Sequence, residues 1–228
     1  MIVQTKNWEK EACFVDAAFE PVADYFSESG NTFICGEVGV GRSIADIAGF
    51  VIRSSTIPAI DHPFNITESI VLSHLRNDGA TRIDLLEQRC GLKPRSLRGE
   101  KLSRLIGERM IQLGEGGQIT LDLNYPIPCS IVAVEAKLTR WRDALKQAVD
   151  YLAYADLSFV LLPTELSKTA TANHDKFQEA GIGLLLFDVV NGIKCAIAPT
   201  QQNRSFGWRR DFVFSSLISQ AQSTNWHA

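Results

Sequence analysis

Two periodicities alternate along the chain. Between Glu9 and Phe26 the apolar residues Phe14, Val15, Ala18, Phe19, Val22, Tyr25 and Phe26 recur at steps of three and four, which predicts an amphipathic helix. Ser29, Gly30 and Asn31 stop it. Two β-rich runs follow, TFICGEVGV and SIADIAGFVI, joined near Gly39, Gly41 and Arg42 in the pattern of an antiparallel hairpin. Residues 54–65 carry two prolines and no period, and read as a linker. From Ile66 the helical period returns in ITESIVLSHLRNDG, with Thr67 as its expected N-cap, then in ATRIDLLEQRCG, then in a longer helix from about Pro94 to Met110. MIQLGEGGQITLD reads as a β pair with a glycine-rich tip, and LNYPIPC as a second linker.

Beyond that linker SIVAVEAKL is a valine-rich strand. WRDALKQAVDYLAYAD is a helix with Trp141, Leu145, Ala148, Leu152 and Ala155 on one face. LSFVLLP and GIGLLLFDVV are too short to span a membrane and read as buried strands, with a polar helix near Asn173 to Ala180 between them. GIKCAIAP closes the strands and DFVFSSLISQAQ forms a terminal helix.

The strands on either side of residues 53–129 belong together by this reading, and that gap is far longer than a loop in a compact domain. An inserted folding unit is therefore expected. Three helices and a β-hairpin in fewer than about 60 residues make a winged helix-turn-helix pattern. The expected fold class is α/β: a mixed or parallel sheet core flanked by helices, formed by residues 1–60 and 127–228, with the winged helix-turn-helix unit at 66–122.

Composition narrows the class. With 45% hydrophobic and 21% charged residues, the chain matches neither a disordered segment, nor collagen, nor a coiled coil. It has no run of about 18 apolar residues, and MIVQTKNWEKEACF lacks the apolar stretch of a signal peptide, so a cytoplasmic protein without membrane contact is expected. Cys13, Cys35, Cys90, Cys129 and Cys195 are odd in number and dispersed, which suits free thiols better than a disulfide framework. The net charge of −3 excludes a uniformly basic coat but leaves room for a local one. That local excess runs from Arg82 to Arg109, eight basic residues against four acidic.

The chemistry centres on Asp46 in the second β run and on Glu135 and Lys137 in VAVEAKL. Residues two apart on a strand share a face, so neighbouring strands would bring Asp46, Glu135 and Lys137 together. Two convergent carboxylates suit Mg²⁺ or Mn²⁺, hard cations that take carboxylate, water and phosphate oxygens. Lys137 beside them would position or deprotonate a water and offset charge developing on a phosphate. An acidic-x-Lys triplet is expected about once by chance in a chain with 26 acidic residues and nine lysines, so the triplet alone decides nothing. Its setting does, because the charges interrupt an apolar strand and cost several kcal/mol there unless paired or metal-bound. A plain Glu135–Lys137 ion pair is the competing reading. The Gly36–Gly41 stretch lacks a P-loop lysine and a following helix, so no nucleotide cofactor is expected, and the four dispersed histidines show no zinc spacing. In the expected third helix of the insertion, Arg95, Arg98, Lys101 and Arg104 fall at steps of three, as a DNA-contacting face would, with Leu97, Leu102, Leu105 and Ile106 opposite; a solvated face used for protein contacts is the competing reading.

This order of elements and these residues resemble the PD-(D/E)XK nuclease superfamily, the restriction-endonuclease-like fold. The resemblance covers about residues 8–53 and 130–198. It implies that Asp46 is the metal-binding acid, preceded by Ala45 where the family motif has proline, and that Glu135 and Lys137 are the Glu-x-Lys. It implies a helix glutamine, matched by Gln147, and an upstream glutamate, matched by Glu37 or alternatively by Glu11 or Glu20. A Mg²⁺- or Mn²⁺-dependent DNA endonuclease acting on duplex DNA is the implied function, with a homodimer as one assembly and RNA as an alternative substrate. The competing function is a non-catalytic binding or accessory protein that keeps the fold.

Overall fold

The structure is a computed structural model that describes residues 8–52, 60, 62–122, 125, 129–200 and 207–224 of the 228. Most of both expected linkers lies outside the described residues. In chain order the elements are α1 (Glu11–Ser27), β1 (Asn31–Val40), β2 (Ser43–Ile52), α2 (Ile66–Asp78), β3 (Thr81–Arg82), α3 (Ile83–Arg89), α4 (Glu100–Gly107), β4 (Ile111–Leu113) and β5 (Gln118–Leu121). They continue as β6 (Cys129–Ala136), α5 (Trp141–Tyr151), β7 (Leu157–Pro163), α6 (Lys168–Thr171), α7 (His174–Ala180), β8 (Gly183–Asp188), β9 (Gly192–Ile197) and α8 (Trp208–Ser223).

The chain forms two compact units, Met1–Arg53 with Cys129–Asn203, and Ser54–Pro128 with Arg204–Ala228. The first is α/β, with a mixed six-stranded sheet in the order β1-β2-β6-β7-β8-β9. β1–β2, β2–β6 and β8–β9 are antiparallel, whereas β6–β7 and β7–β8 are parallel, each pair linked across the sheet by a helix-bearing connection.

The two-residue period of the strands sorts this core into two layers. Ile47, Val51, Val132, Val134, Phe159, Leu161, Leu185 and Phe187 face α1 and pack on Phe14, Ala18, Val22 and Phe26. Val160, Leu162, Leu184 and Leu186 face the other way, onto Trp141, Ala144 and Ala148 of α5 and Phe177 of α7. Alternation places Asp46 and Glu135 on this second face, towards α5. Gly49, at the centre of β2, is required by a close approach: a Cβ there would stand 2.1 Å from the Phe33 carbonyl oxygen of β1.

The second unit holds α2, α3, α4, α8 and a three-stranded antiparallel sheet in the order β3-β5-β4. Three expectations change here. First, α2 is capped by Asn65, not Thr67. The Asn65 side chain accepts from Glu68 N at 3.0 Å while Glu68 Oε2 accepts from Asn65 N at 2.9 Å, a reciprocal capping box.

Second, the expected helix from Pro94 to Met110 is only α4, Glu100–Gly107. Arg95 adopts a left-handed φ of 65° and the buried Glu87 carboxylate takes the N–H groups of Arg95 and Leu97 at 2.8 and 2.9 Å, so a fixed turn occupies the first half. Ile106 is exposed, while Leu97 and Leu105 are buried as expected.

Third, α8 belongs to this unit and not to the sheet core. Its residues Val213, Phe214, Leu217 and Ile218 are buried, Ser215 Oγ accepts from Phe64 N at 2.8 Å, and Asp211 accepts from Tyr125 Oη at 2.5 Å and from Arg76. Among the described residues no helix is long and apolar enough to cross a membrane.

Candidate active site

β2 and β6 separate at the point where the acids sit. Their register runs from Ile52↔Cys129 to Ile47↔Val134, one step short of Asp46 and Glu135. Past that step the ladder is replaced by a side chain: Ala136 N donates to Asp46 Oδ2 at 2.8 Å. The opening leaves the other Asp46 oxygen without a hydrogen-bond partner among the described residues.

Lys137 lies one residue beyond the end of β6 and its backbone N–H donates to the Leu161 carbonyl at 3.1 Å. Its ammonium gathers three carboxylates: Glu11 Oε1 of α1 at 2.7 Å, Glu135 Oε1 at 2.9 Å and Asp46 Oδ2 at 3.9 Å. The shared face expected of Glu135 and Lys137, and the convergence of Asp46 upon them, are thus present. Glu135 is 1% exposed. Its second oxygen accepts from the Tyr151 hydroxyl of α5, which also lies 2.8 Å from the Ile44 carbonyl oxygen. A phenol has one proton, so Tyr151 serves one of these acceptors at a time.

Electrostatics follow burial. Desolvation raises the Asp46 carboxyl above the ordinary carboxylate range, against the opposing pull of the Ala136 N–H and Lys137, and with help from the negative charges of Glu11 and Glu37. Glu135 is raised for the same first reason, opposed by Tyr151 and Lys137 and reinforced by Asp46. For Lys137 burial acts downward but is outweighed by the bonds to Glu11 and Glu135 and by the charges of Glu135 and Asp46, so its pKa rises. The ammonium is held charged. Of the roles expected for Lys137, this arrangement favours offsetting charge over removing a proton from water.

The other expected residues fall into place unevenly. Gln147 lines an open cleft of about 490 Å³ together with Glu11, Lys137, Arg140, Asp143 and Lys146. Glu37 is exposed, carries a left-handed φ of 52° and falls opposite Asp46, where the β1–β2 register skips both residues. Glu11, and not the exposed Glu20, joins the cluster through Lys137. Tyr151 is the group that the apolar pattern hides.

In the second unit, Arg95 and Arg98 stand on the turn before α4 and are exposed, and Lys101 is half-buried on α4. Arg104 departs from the expected DNA-contacting face. It is held by Glu68 at 3.1 Å, by Glu108 at 3.0 Å and by the His62 carbonyl oxygen, an internal network that joins α4 to the start of α2.

The donor set tests the expected cation. Carboxylate oxygens of Asp46 and Glu135 are the hard ligands Mg²⁺ or Mn²⁺ prefers, and Asp46 has an oxygen to spare. Among the described residues no three His, Cys, Asp or Glu side chains group as metal ligands, so water and phosphate oxygens would complete the shell. The five cysteines form no disulfide. No family model, no curated protein and no solved structure matches the chain.

Proposed function

We propose that the first unit is a metal-dependent nuclease core of the restriction-endonuclease-like kind and that the protein hydrolyses DNA phosphodiester bonds. The observation that carries this reading is the meeting of Asp46, Glu135 and Lys137 where β2 and β6 part, a buried Glu135, a half-buried Asp46 and a fixed ammonium beside an open cleft. Asp46 and Glu135 would hold Mg²⁺ or Mn²⁺. When bound, such a cation polarises a phosphate oxygen and lowers the pKa of a water.

The residues of this chain supply the remainder. Glu11 and Glu135 fix the Lys137 ammonium where negative charge builds on a phosphate in the transition state, and charge placed beforehand requires no reorganisation during reaction. Tyr151 holds the Glu135 carboxylate against rotation from the α5 side. Gln147, four residues earlier on α5, lines the cleft where a phosphate or its water would sit. In the second unit the helices α2, α3 and α4 with the β3-β5-β4 sheet support the reading of an inserted winged helix, and exposed Arg95 and Arg98 support its use on duplex DNA. The absence of acidic partners for both side chains among the described residues favours phosphate contact over internal pairing.

Calorimetry with Mn²⁺ tests the site. Weak binding by the wild type that disappears in Asp46→Ala is expected, because two carboxylates alone leave a water-rich shell. Equal binding by both proteins overturns the assignment and favours the non-catalytic alternative, in which the Lys137 cluster is a structural ion pair.

A further inference from the structure

Lys146 of α5 lines the same cleft, and this chemistry does not use it. Arg142 and Lys146 stand four apart on α5, one stripe over from Gln147, and both are exposed. The Arg142 guanidinium lies 4.6 Å from the centre of the Trp141 ring, and Lys176 of α7 lies 5.8 Å from the same ring. Trp141 itself is buried and stacked on Phe177 at 5.7 Å, so the platform that positions both cations is fixed by the core.

Arg142 and Lys146 are a like-charged i,i+4 pair, and Arg142 and Lys176 share one ring. Among the described residues none of the three has an acidic ion-pair partner, whereas Arg140, which lines the cleft, is neutralised by Asp143 at 2.5 Å. An anion laid across the three side chains offsets their like charge. Because the cations are exposed and spread over two helices, and do not converge in a closed pocket, a chain of phosphates fits them better than a single small anion.

We propose that Arg142, Lys146 and Lys176 form the phosphate-contact surface of the first unit, gripping the DNA backbone on one side of the phosphate that meets Lys137. The surface rests on the nuclease reading for its substrate. It reads charge and spacing, not bases, so it contributes affinity without sequence preference.

The test is binding of a fluorescein-labelled 20-base-pair duplex in EDTA, followed by anisotropy as a function of salt. Combined Arg142→Ala, Lys146→Ala and Lys176→Ala substitution should weaken binding at least about tenfold and flatten the log–log salt slope by about 2–3, since each lost phosphate contact removes about 0.9. Lys146→Gln alone touches no ring and leaves packing intact, and should flatten the slope by about 1. Equal affinity and slope in both variants overturn the proposal. Plasmid cleavage by the wild type in Mg²⁺ separates the two readings: cutting with unaltered slopes discards only this surface, whereas flattened slopes without cutting uphold the surface and discard the nuclease.

Discussion

The Glu135 carboxyl shows how a site of this kind is maintained against its own stability. Burial raises its pKa despite Tyr151 and Lys137. A carboxyl whose native pKa exceeds its unfolded one stabilises the fold when protonated, a contribution present below the ordinary carboxylate range and lost as pH rises through the raised native value. Glu135→Gln should therefore melt above the wild type at pH 7, with the difference closing towards about pH 4, where both forms are neutral. A thermal melt series checks this, and a lower melting temperature for the variant at pH 7 contradicts it. Asp46 and Glu135 were legible in the sequence because each interrupts an apolar strand, and Lys137 because it follows Glu135 at a step of two. Tyr151 was not, since a tyrosine on an amphipathic helix looks like core. The one signal was its place four residues after Gln147, on the same side of α5.

At the scale of elements, the strands of the first unit declare themselves through period-two apolar runs, and their order follows the reading of the sequence. The second unit shows where pattern fails. The apolar stripe of Leu97, Leu102 and Leu105 suggested a helix reaching back through residues 94–99, yet no helix forms there, because Glu87 offers a buried carboxylate to the Arg95 and Leu97 N–H groups and Gly99 takes a φ of 88°. A side chain has captured backbone donors that a helix would have used. Glu87→Ala should cost about 1–3 kcal/mol, the penalty of unsatisfied buried donors, and release the basic turn. Denaturant unfolding measures the cost, and duplex binding should weaken with it. Unchanged stability would show that the turn does not depend on Glu87. Glu68 likewise redirects Arg104 inward, a pairing across 36 residues that no local spacing reveals, and Glu108 at i+4 adds a second carboxylate.

For the whole molecule, the insertion was legible from the length of the gap between β2 and β6, but the destination of α8 was not. Its apolar face fits a sheet core or a helical unit equally well, and buried Asp211, held by Arg76 and Tyr125, is what ties it to the second. Removing residues 66–122 alone should therefore strand the apolar face of α8 and give an aggregating protein, whereas removing 204–228 as well should leave a monodisperse sheet unit with a cooperative melt. Size-exclusion chromatography of the two deletions distinguishes them, and a soluble single deletion contradicts the placement of α8. The central claim is that Asp46, Glu135 and Lys137 act together on a phosphodiester. It is tested most directly by incubating supercoiled plasmid with wild type and Lys137→Ala in Mg²⁺, Mn²⁺ or EDTA. Metal-dependent nicking or linearisation by the wild type is expected, abolished in EDTA and in Lys137→Ala while duplex affinity persists. Cleavage by Lys137→Ala at the wild-type rate, or no cleavage by the wild type with either metal, would contradict it.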